Sequence, residues 1–177
     1  ARALDRVGGA RPLDLRRRAD RHGRHAVVDD LDALDGAEAD IRARVERKEV
    51  VIGFGSEEFD PEGRYVELRF GKLSVISVYV PSGSSGDERQ QAKFRFMDEF
   101  MPHLAELAEE REVIVCGDVN IVHKEIDIKN WKSNQKNSGC LPEEREWLTK
   151  LFDEVGYVDV FRTLDQRPEQ YTWWSNR

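Results

Sequence analysis

The sequence predicts an α/β fold over residues 50–177. Three observations predict it: alternating apolar and polar residues at 64–70, a helical repeat of apolar residues over 87–110, and a short apolar run at 113–116. Alternation with a period of two is typical of a strand with one buried face, whereas spacings of three and four are typical of a helix. Strands and helices in alternation indicate an α/β or α+β layered fold.

The opening segment, residues 1–49, differs in composition from the rest. It contains no Phe, Trp, Tyr or Asn, while eleven of the twenty Arg fall within it. With so little bulky apolar surface it cannot offset an ordering entropy of about 1–2 kcal/mol per residue, so we predict that it is disordered or poorly packed. The run Arg16, Arg17 and Arg18 could instead mark a nucleic-acid arm or transit signal, but interspersed acidic residues disfavour both.

A hairpin is predicted at the start of the folded region. Residues 64–70 alternate as one strand, and Gly71 with Lys72 supplies a tight turn. Residues 73–80 are almost continuously apolar, as expected of a strand buried on both faces. Residues 81–86 then form a loop rich in Ser and Gly.

A long amphipathic helix follows. Within residues 87–110 apolar residues recur at helical spacing and charged residues fill the other faces. The helix is expected to be perturbed near Pro102, because proline lacks the N–H that a helix interior uses. Its apolar positions are Phe94, Met97, Met101, Leu104 and Leu107.

The second half of the chain predicts a strand, a loop and another helix. Residues 113–116 suit a short buried strand, and residues 121–140 form a polar loop of a length that is usually functional or mobile. The helix is expected to begin at Pro142 and to end before Gly156. Residues 171–174 resemble one more strand. The apolar stripe of the helix comprises Trp147, Leu148, Leu151, Phe152 and Val155.

Charge and composition limit the classes of function. A net charge of −7 argues against indiscriminate nucleic-acid binding, although it leaves a local basic surface open. No apolar run approaches the roughly 20 residues of a membrane span, and no signal-peptide pattern is present, so we expect a soluble, cytoplasmic protein that binds no membrane. Cys116 and Cys140 are too few for a disulfide framework and are expected to be reduced structural thiols.

One motif combines groups that could carry chemistry. Residues 117–120 read Gly-Asp-Val-Asn after the apolar run, which places the carboxylate of Asp118 and the amide of Asn120 on one face of the chain. The carboxyl end of a strand is where α/β sheets hold their sites. Asp118 could bind a hard cation or orient a water, and Asn120 could donate a hydrogen bond to a phosphoryl oxygen. A simple turn after a strand has the same pattern.

Five motifs occur in a characteristic order along the chain. They are Tyr-Val-Pro-Ser-Gly at 79–83, Gly-Asp-Val-Asn at 117–120, Asn-Trp-Lys at 130–132, Leu-Pro-Glu-Glu-Arg-Glu-Trp at 141–147 and Tyr-Thr-Trp-Trp at 171–174. In order and spacing they closely resemble the bacterial exonuclease III and abasic-site endonuclease family, within the endonuclease/exonuclease/phosphatase superfamily. The resemblance implies a two-sheet β-sandwich flanked by helices, a divalent metal ion and hydrolysis of DNA phosphodiesters.

The resemblance also implies catalytic roles. Asp118 matches the family's aspartate that orients and deprotonates the attacking water, and Asn120 matches the amide that stabilises charge developing on the phosphoryl oxygen. Both would lie at the metal, which is expected to be Mg²⁺, or Mn²⁺ in its place. Tyr79 resembles the tyrosine whose phenol faces the scissile phosphate, with an ordinary strand aromatic as the alternative.

Four further residues resemble DNA-binding residues of the family. Arg64 matches a phosphate-contacting arginine, with an exposed, unpaired strand residue as the alternative. Lys132 stands in a lysine-rich loop around Trp131, which could form a local basic surface or simply a solvated one. Trp173 and Trp174 match the aromatic wall that accepts a flipped-out abasic sugar, with two core tryptophans as the alternative.

Other parts of the family pattern are missing from this sequence. The family opens with a strand that bears a metal-binding Asn, which is followed by a metal-binding Glu, and it closes with a Ser-Asp-His segment. In this sequence no Asn precedes Asn120, so the opening strand of the family cannot be recognised. We therefore expect residues 1–49 to be a frame-shifted or replaced end. Residues 50–177 would be the central part of the domain, without the family's first and last strands, in a truncated and impaired chain. Exposed apolar edges would leave it marginally stable and prone to associate.

The sequence thus predicts a metal-dependent DNA phosphodiester hydrolase of base-excision repair. Its expected activities are those of a 3′–5′ exonuclease and abasic-site endonuclease, acting on double-stranded DNA with abasic sites or 3′ ends and without an obligate protein partner. The alternative from another class is a non-catalytic remnant that binds abasic DNA. A third hypothesis keeps the chemistry but changes the substrate to RNA, a phosphoinositide or a phospholipid head group. The balance among the activities and the oligomeric state stay open.

Overall fold

A computed structural model describes residues 25–28 and 49–173, and within these ranges the strands form one mixed sheet. The strands are β1 (His25–Val28), β2 (Glu49–Ile52), β3 (Tyr65–Phe70), β4 (Leu73–Tyr79), β5 (Glu112–Asp118) and β6 (Tyr157–Asp159). Their order in the sheet is β2-β3-β4-β5-β1-β6. The β2-β3 and β3-β4 pairs are antiparallel, whereas β4-β5, β5-β1 and β1-β6 are parallel, so β4, β5, β1 and β6 end at the same edge.

Helices connect these strands. The α-helices are α1 (Asp87–Glu110), α2 (Trp131–Asn134), α3 (Pro142–Lys150) and α4 (Val160–Leu164). Helix α3 starts at a proline and continues into a π-helical turn at Leu151–Val155, which ends at Gly156 with a φ of +93°. Short 3₁₀ turns occupy Asp60–Glu62 and Glu125–Asp127. Within residues 25–28 and 49–173, no helix is long and apolar enough to cross a membrane.

The core lies between one face of the sheet and helices α1 and α3. Alternate residues of β3, β4 and β5 point into it, because successive side chains of a strand face opposite sides. Two buried hydrogen bonds fix the helices: Trp147 Nε1 donates to the carbonyl of Met97 at 2.8 Å, and the Tyr157 hydroxyl donates to the carbonyl of Leu104 at 3.1 Å. The larger buried side chains include Tyr65, Ile76, Val78, Phe96, Phe100, Leu104, Val115, Trp147, Leu148 and Leu151.

The opposite face of the sheet is more exposed. In β4 the residues facing the helices are buried, whereas the alternate residues, among them Ser77 and Tyr79, are exposed or half-buried. The prediction that this strand is buried on both faces is therefore wrong for the described structure. On the edge strand β2, Ile52 is 74% exposed and Val50 is 43% exposed, which leaves apolar surface at this edge of the sheet.

The α/β class and the main elements were predicted correctly. The long helix has the predicted limits, 87 and 110, although it runs through Pro102 without interruption. Its buried face includes Phe96 and Phe100, which the predicted stripe missed. Residues 171–173 are not a strand, contrary to expectation. The described strands lie in one sheet rather than in the two that the resemblance implies.

The opening segment is described at His25–Val28, which forms β1 between β5 and β6, and at Glu49, the first residue of β2. The rest of residues 1–49 lies outside the described residues, so the prediction that this segment is disordered or frame-shifted stays a prediction.

Candidate active site

The carboxyl ends of β4 and β5 lie side by side. In the parallel register Tyr79 is the partner of Asp118, so the two side chains project from the same face of the sheet. The preceding residue, Gly117, allows this close approach. It has a φ of +130°, and a Cβ built on it would lie 2.0 Å from the carbonyl oxygen of Val78. The glycine of the Gly-Asp-Val-Asn motif is thus required by the packing of one backbone on the other.

Asp118 and Asn120 form a tight turn just beyond β5. Asp118 is exposed, and its Oδ1 accepts a hydrogen bond from the backbone N–H of Asn120 at 3.1 Å. Asn120 has a left-handed φ of +54°, and its Nδ2 donates to the carbonyl of Val80 at 3.0 Å. The second carboxylate oxygen of Asp118 and one Nδ2 hydrogen of Asn120 remain unengaged among the described residues. These two groups can act on a molecule bound beside the turn.

A buried lysine supports this turn from the helix side of the sheet. Lys93 Nζ donates to the carbonyl of Asn120 at 2.6 Å and lies 2.7 Å from Glu144 Oε1. Burial lowers the pKa of Lys93, whereas the charges of Glu144 and Asp118 oppose that shift. Neither Lys93 nor Glu144 was identified from the sequence, because helical periodicity does not indicate a buried charged residue.

Asp118 and Asn120 line a cleft of about 870 Å³. Its wall is formed by the motif at 117–120, by parts of the loop at 121–140 and by residues further along the chain: Leu148, Phe152, Asp159, Phe161, Arg162, Tyr171, Thr172 and Trp173. Phe161 and Trp173 contribute aromatic side chains to it, and Trp173 is 76% exposed. The volume lies within the usual range of about 300–1,000 Å³ for small-molecule sites. The cleft therefore has a polar region at the turn and aromatic side chains in its wall.

Arg162 holds two parts of the cleft wall together, a role the sequence did not indicate. Its Nε donates to Asp127 Oδ1 at 2.5 Å, and its Nη2 donates to the carbonyls of Ile126 at 3.0 Å and Gln170 at 2.6 Å. These bonds tie the 125–127 turn to the segment that leads into Trp173. A multidentate guanidinium suits this purpose because its five N–H donors have a fixed geometry.

Three titratable groups that line the cleft have shifted pKa values, among them Cys140, whose pKa is raised by burial. Burial raises the pKa of Asp159 above its ordinary value, opposed by the N–H that Arg162 donates to its carboxylate at 2.8 Å. Burial, together with the charge of Lys124, lowers the pKa of His123, whose Nε2 lies 2.9 Å from Thr149 Oγ1.

Tyr79 and Arg64 lie together beside the turn. The Arg64 guanidinium lies 4.9 Å from the centre of the Tyr79 ring, and its Nη1 donates to the Tyr79 carbonyl at 3.2 Å. The Arg64 side chain is only 10% exposed and pairs with Glu62, so the alternative of an exposed, unpaired arginine is wrong. Register brings Tyr79 next to Asp118, but neither Tyr79 nor Arg64 lines the cleft.

The other residues predicted from the sequence differ in whether they line the cleft. Lys132 is exposed on α2 and does not line the cleft, whereas the neighbouring Lys129 does. Trp131 packs under the Arg145 guanidinium, 4.9 Å from ring centre to charge. Trp173 lines the cleft, which disfavours a core role, and Trp174 lies outside the described residues.

The described residues around Asp118 and Asn120 offer few ligands for the metal ion predicted from the sequence. Within the described ranges no three His, Cys, Asp or Glu side chains come together. Asp118 offers one carboxylate, with Oδ1 already accepting a hydrogen bond, and Asn120 offers one amide oxygen. Because Mg²⁺ prefers nearly octahedral oxygen coordination, with one or two protein carboxylates besides water and phosphate, these residues do not by themselves form a metal site.

Individual known proteins align with about three quarters of the chain. No family model matches it. It is 40% identical over 136 residues to an exodeoxyribonuclease of Bacillus subtilis, covering 76% of this chain and 54% of the relative. It is 39% identical over 135 residues to the DNA repair nuclease APEX1 of Danio rerio, covering 75% and 43% respectively. The chain thus spans about half the length of the curated relatives it matches.

Solved structures show the same architecture. An AP endonuclease from Archaeoglobus fulgidus superimposes with a TM-score of 0.66 at 27% identity, covering 75% of this chain and 52% of that structure. A 3′-5′ exonuclease from Neisseria meningitidis superimposes with a TM-score of 0.67 at 23% identity, covering 76% and 53%. This second likeness concerns the fold alone.

Proposed function

We propose, from the relationship of this chain to the exodeoxyribonuclease and AP endonuclease family, that it is a DNA-repair phosphodiester hydrolase by descent. Its substrate class would be double-stranded DNA with abasic sites or 3′ ends. The observation that carries the proposal is the Asp118–Asn120 turn, fixed at the carboxyl edge of the sheet and lining a cleft with Trp173 in its wall. A cleft of this composition offers acid-base and hydrogen-bonding groups beside an aromatic surface.

Asp118 would orient and activate the attacking water. Its Oδ1 is held by the Asn120 N–H, which leaves Oδ2 to accept a proton from a water in the cleft. The water oxygen would then attack phosphorus and displace the sugar oxygen on the other side. Fixed orientation matters here, because misplacing a reacting group by about 1 Å costs roughly a hundredfold in rate.

Asn120 would stabilise the negative charge that develops on the phosphoryl oxygen. One Nδ2 hydrogen bonds the Val80 carbonyl, which fixes the amide plane and directs the other hydrogen away from the backbone. A preorganised donor of this kind contributes about 3–4 kcal/mol to transition-state stabilisation. Tyr79, the register partner of Asp118, would present its phenol to the same phosphate.

DNA binding would use the exposed aromatic and basic side chains. Trp173 offers a flat, largely exposed surface for a flipped-out abasic sugar, and the same role is proposed for Trp174 from the sequence resemblance alone. Lys132 and Arg64 would contact backbone phosphates. Such a limited basic surface is compatible with the net charge of −7.

Magnesium dependence, with Mn²⁺ as a substitute, is part of the proposal, although Asp118 and Asn120 supply too few ligands to hold the ion alone. No step above is therefore assigned to it. We infer a cytoplasmic location, since Cys116 and Cys140 are buried and are expected to be reduced structural thiols. No membrane or obligate protein partner is proposed.

Cleavage of a duplex with one abasic-site analogue tests the proposal, with Mg²⁺ and with chelator. Asp118→Asn should abolish incision, whereas Asp98→Asn, an equivalent change on the exposed side of α1, should leave it intact. Equal loss in both variants would count against a role for the turn.

The second candidate is a non-catalytic protein that binds abasic DNA. The single carboxylate at the turn favours it, because the cleft and Trp173 could still bind damaged DNA without hydrolysis. Tight, abasic-selective binding without incision by the parent chain would support this candidate. If neither incision nor selective binding is seen, both proposals fail.

A further inference from the structure

A buried ion pair lies on the core side of the Asp118–Asn120 turn. Lys93 of α1 and Glu144 of α3 are both fully buried, with 0% of each side chain exposed, and Nζ lies 2.7 Å from Oε1. The same Nζ donates to the carbonyl of Asn120 at 2.6 Å. Two helices are thereby connected to one carbonyl group of the turn.

Glu144 is itself held in place. Its Oε2 accepts the backbone N–H of Leu141 at 2.9 Å, and its Oε1 also accepts Gln90 Nε2 at 3.1 Å. These bonds anchor the carboxylate at the start of α3 and beside α1. Lys93 therefore has a fixed partner on one side and the Asn120 carbonyl on the other.

Stability does not explain such a pair. Burying two charges carries a desolvation penalty of several kcal/mol per ion, and apolar residues of similar volume are often as stable or more stable. The distinctive result of the pair is its contact with Asn120, which has a left-handed backbone conformation. Gly139 packs closely against the same carbonyl, since a Cβ built on it would lie 3.0 Å from the Asn120 oxygen.

We propose that Lys93 is a positioning residue for the Asp118–Asn120 turn and that Glu144 holds Lys93 in place. Lys93 fixes the peptide that follows Asn120, so that the Asn120 amide and the Asp118 carboxylate keep their orientation toward the cleft. The consequence for catalysis rests on the function proposed above, whereas the effect on the turn does not.

Replacing both members of the pair separates positioning from charge. Glu144→Gln alone would leave the Lys93 charge buried without a carboxylate, so Lys93→Met and Glu144→Gln are combined and compared with the parent. The double variant removes the donor to Asn120 without leaving an unpaired buried charge. The matched control is Glu67→Gln with Arg69→Met, which neutralises another pair with a fully buried carboxylate, 2.7 Å apart, that does not touch the turn.

Hydrogen exchange measures the turn directly. In Glu144→Gln/Lys93→Met the backbone amide of Asn120 should exchange about tenfold faster than in the parent, while buried amides of β4 keep their protection. In steady-state cleavage the same comparison should show about tenfold lower kcat at unchanged KM. The control pair should change neither quantity.

The outcomes are distinguishable. Unchanged exchange at Asn120 in the folded double variant overturns the inference, even if the parent cleaves DNA. A parent that neither cleaves nor binds DNA overturns the proposed function, while the exchange comparison still decides the role of Lys93. Should the double variant not fold, an NMR correlation across the hydrogen bond between Lys93 Nζ and the Asn120 carbonyl decides instead. Its presence in the parent supports the inference and its absence overturns it.

Discussion

Gly117→Ala should be among the most damaging single-methyl additions in this chain. The new Cβ would lie 2.0 Å from the Val78 carbonyl oxygen, whereas ordinary contact begins near 3.4 Å. A φ of +130° adds backbone strain of about 1–3 kcal/mol, and overpacking of this kind adds about 1–3 kcal/mol. We expect a loss of about 4 kcal/mol in the free energy of unfolding, with β4 and β5 pushed apart where Tyr79 meets Asp118.

Urea unfolding of parent and variants measures this loss. With a slope of about 2 kcal/mol per molar, the midpoint should fall by about 2 M, and a parent less stable than this loss would yield an unfolded variant. Gly71→Ala is the matched control: it also has a positive φ, +58°, but nothing lies within 4 Å of its added Cβ, so about 1 kcal/mol is expected. Equal losses for the two variants would refute the close approach at Gly117.

Three further predictions concern the cleft wall, pH dependence and DNA binding. Arg162→Met removes the hydrogen bonds that join two parts of the cleft wall, and it should weaken binding of an abasic duplex about tenfold, as measured by fluorescence anisotropy. Arg167→Met, which removes only the surface ion pair with Asp165, should leave binding unchanged. Burial lowers the pKa of His103, so the folded chain binds a proton there less readily than the unfolded chain. The contribution of neutral His103 to the free energy of unfolding is therefore present above the ordinary histidine pKa of about 6.5 and is lost as pH falls below that value. Urea midpoints at pH 7.5 and 5.5 should therefore differ less in His103→Gln than in the parent, and an equal difference would contradict this. Lys132→Ala should weaken duplex binding in a sequence-independent way and lower the salt-dependence slope by about one, while Lys72→Ala in the β3–β4 turn should leave the slope unchanged.

The elements with long periodic patterns could be predicted from sequence. The limits of α1 follow from the loop that precedes Asp87 and from regular apolar spacing over 24 residues. The buried side was assigned less well: Phe94 is only partly buried, whereas Phe96 and Phe100 are in the core. Several aromatic residues in one helix allow more than one plausible stripe, and tertiary packing decides among them.

Site residues could be predicted only where the groups that act together lie close to one another in the sequence. Asp118 and Asn120 were identified because the four-residue motif Gly-Asp-Val-Asn follows an apolar strand and matches a motif of the family that the sequence resembles. Lys93 was not identified, since its burial depends on Glu144, which lies 51 residues further along the chain and belongs to another helix. Arg162 was missed for the same reason, because the groups it binds come together only in the folded chain.

Incision of an abasic duplex in ¹⁸O-labelled water, with Mg²⁺ and under single-turnover conditions, tests the central claim most directly. If the Asp118–Asn120 turn directs a water to phosphorus, the label should appear in the 5′ phosphate of the product, and Asp118→Asn should yield no labelled product. Absence of incision by the parent chain, or incision that leaves the phosphate unlabelled, would contradict the account.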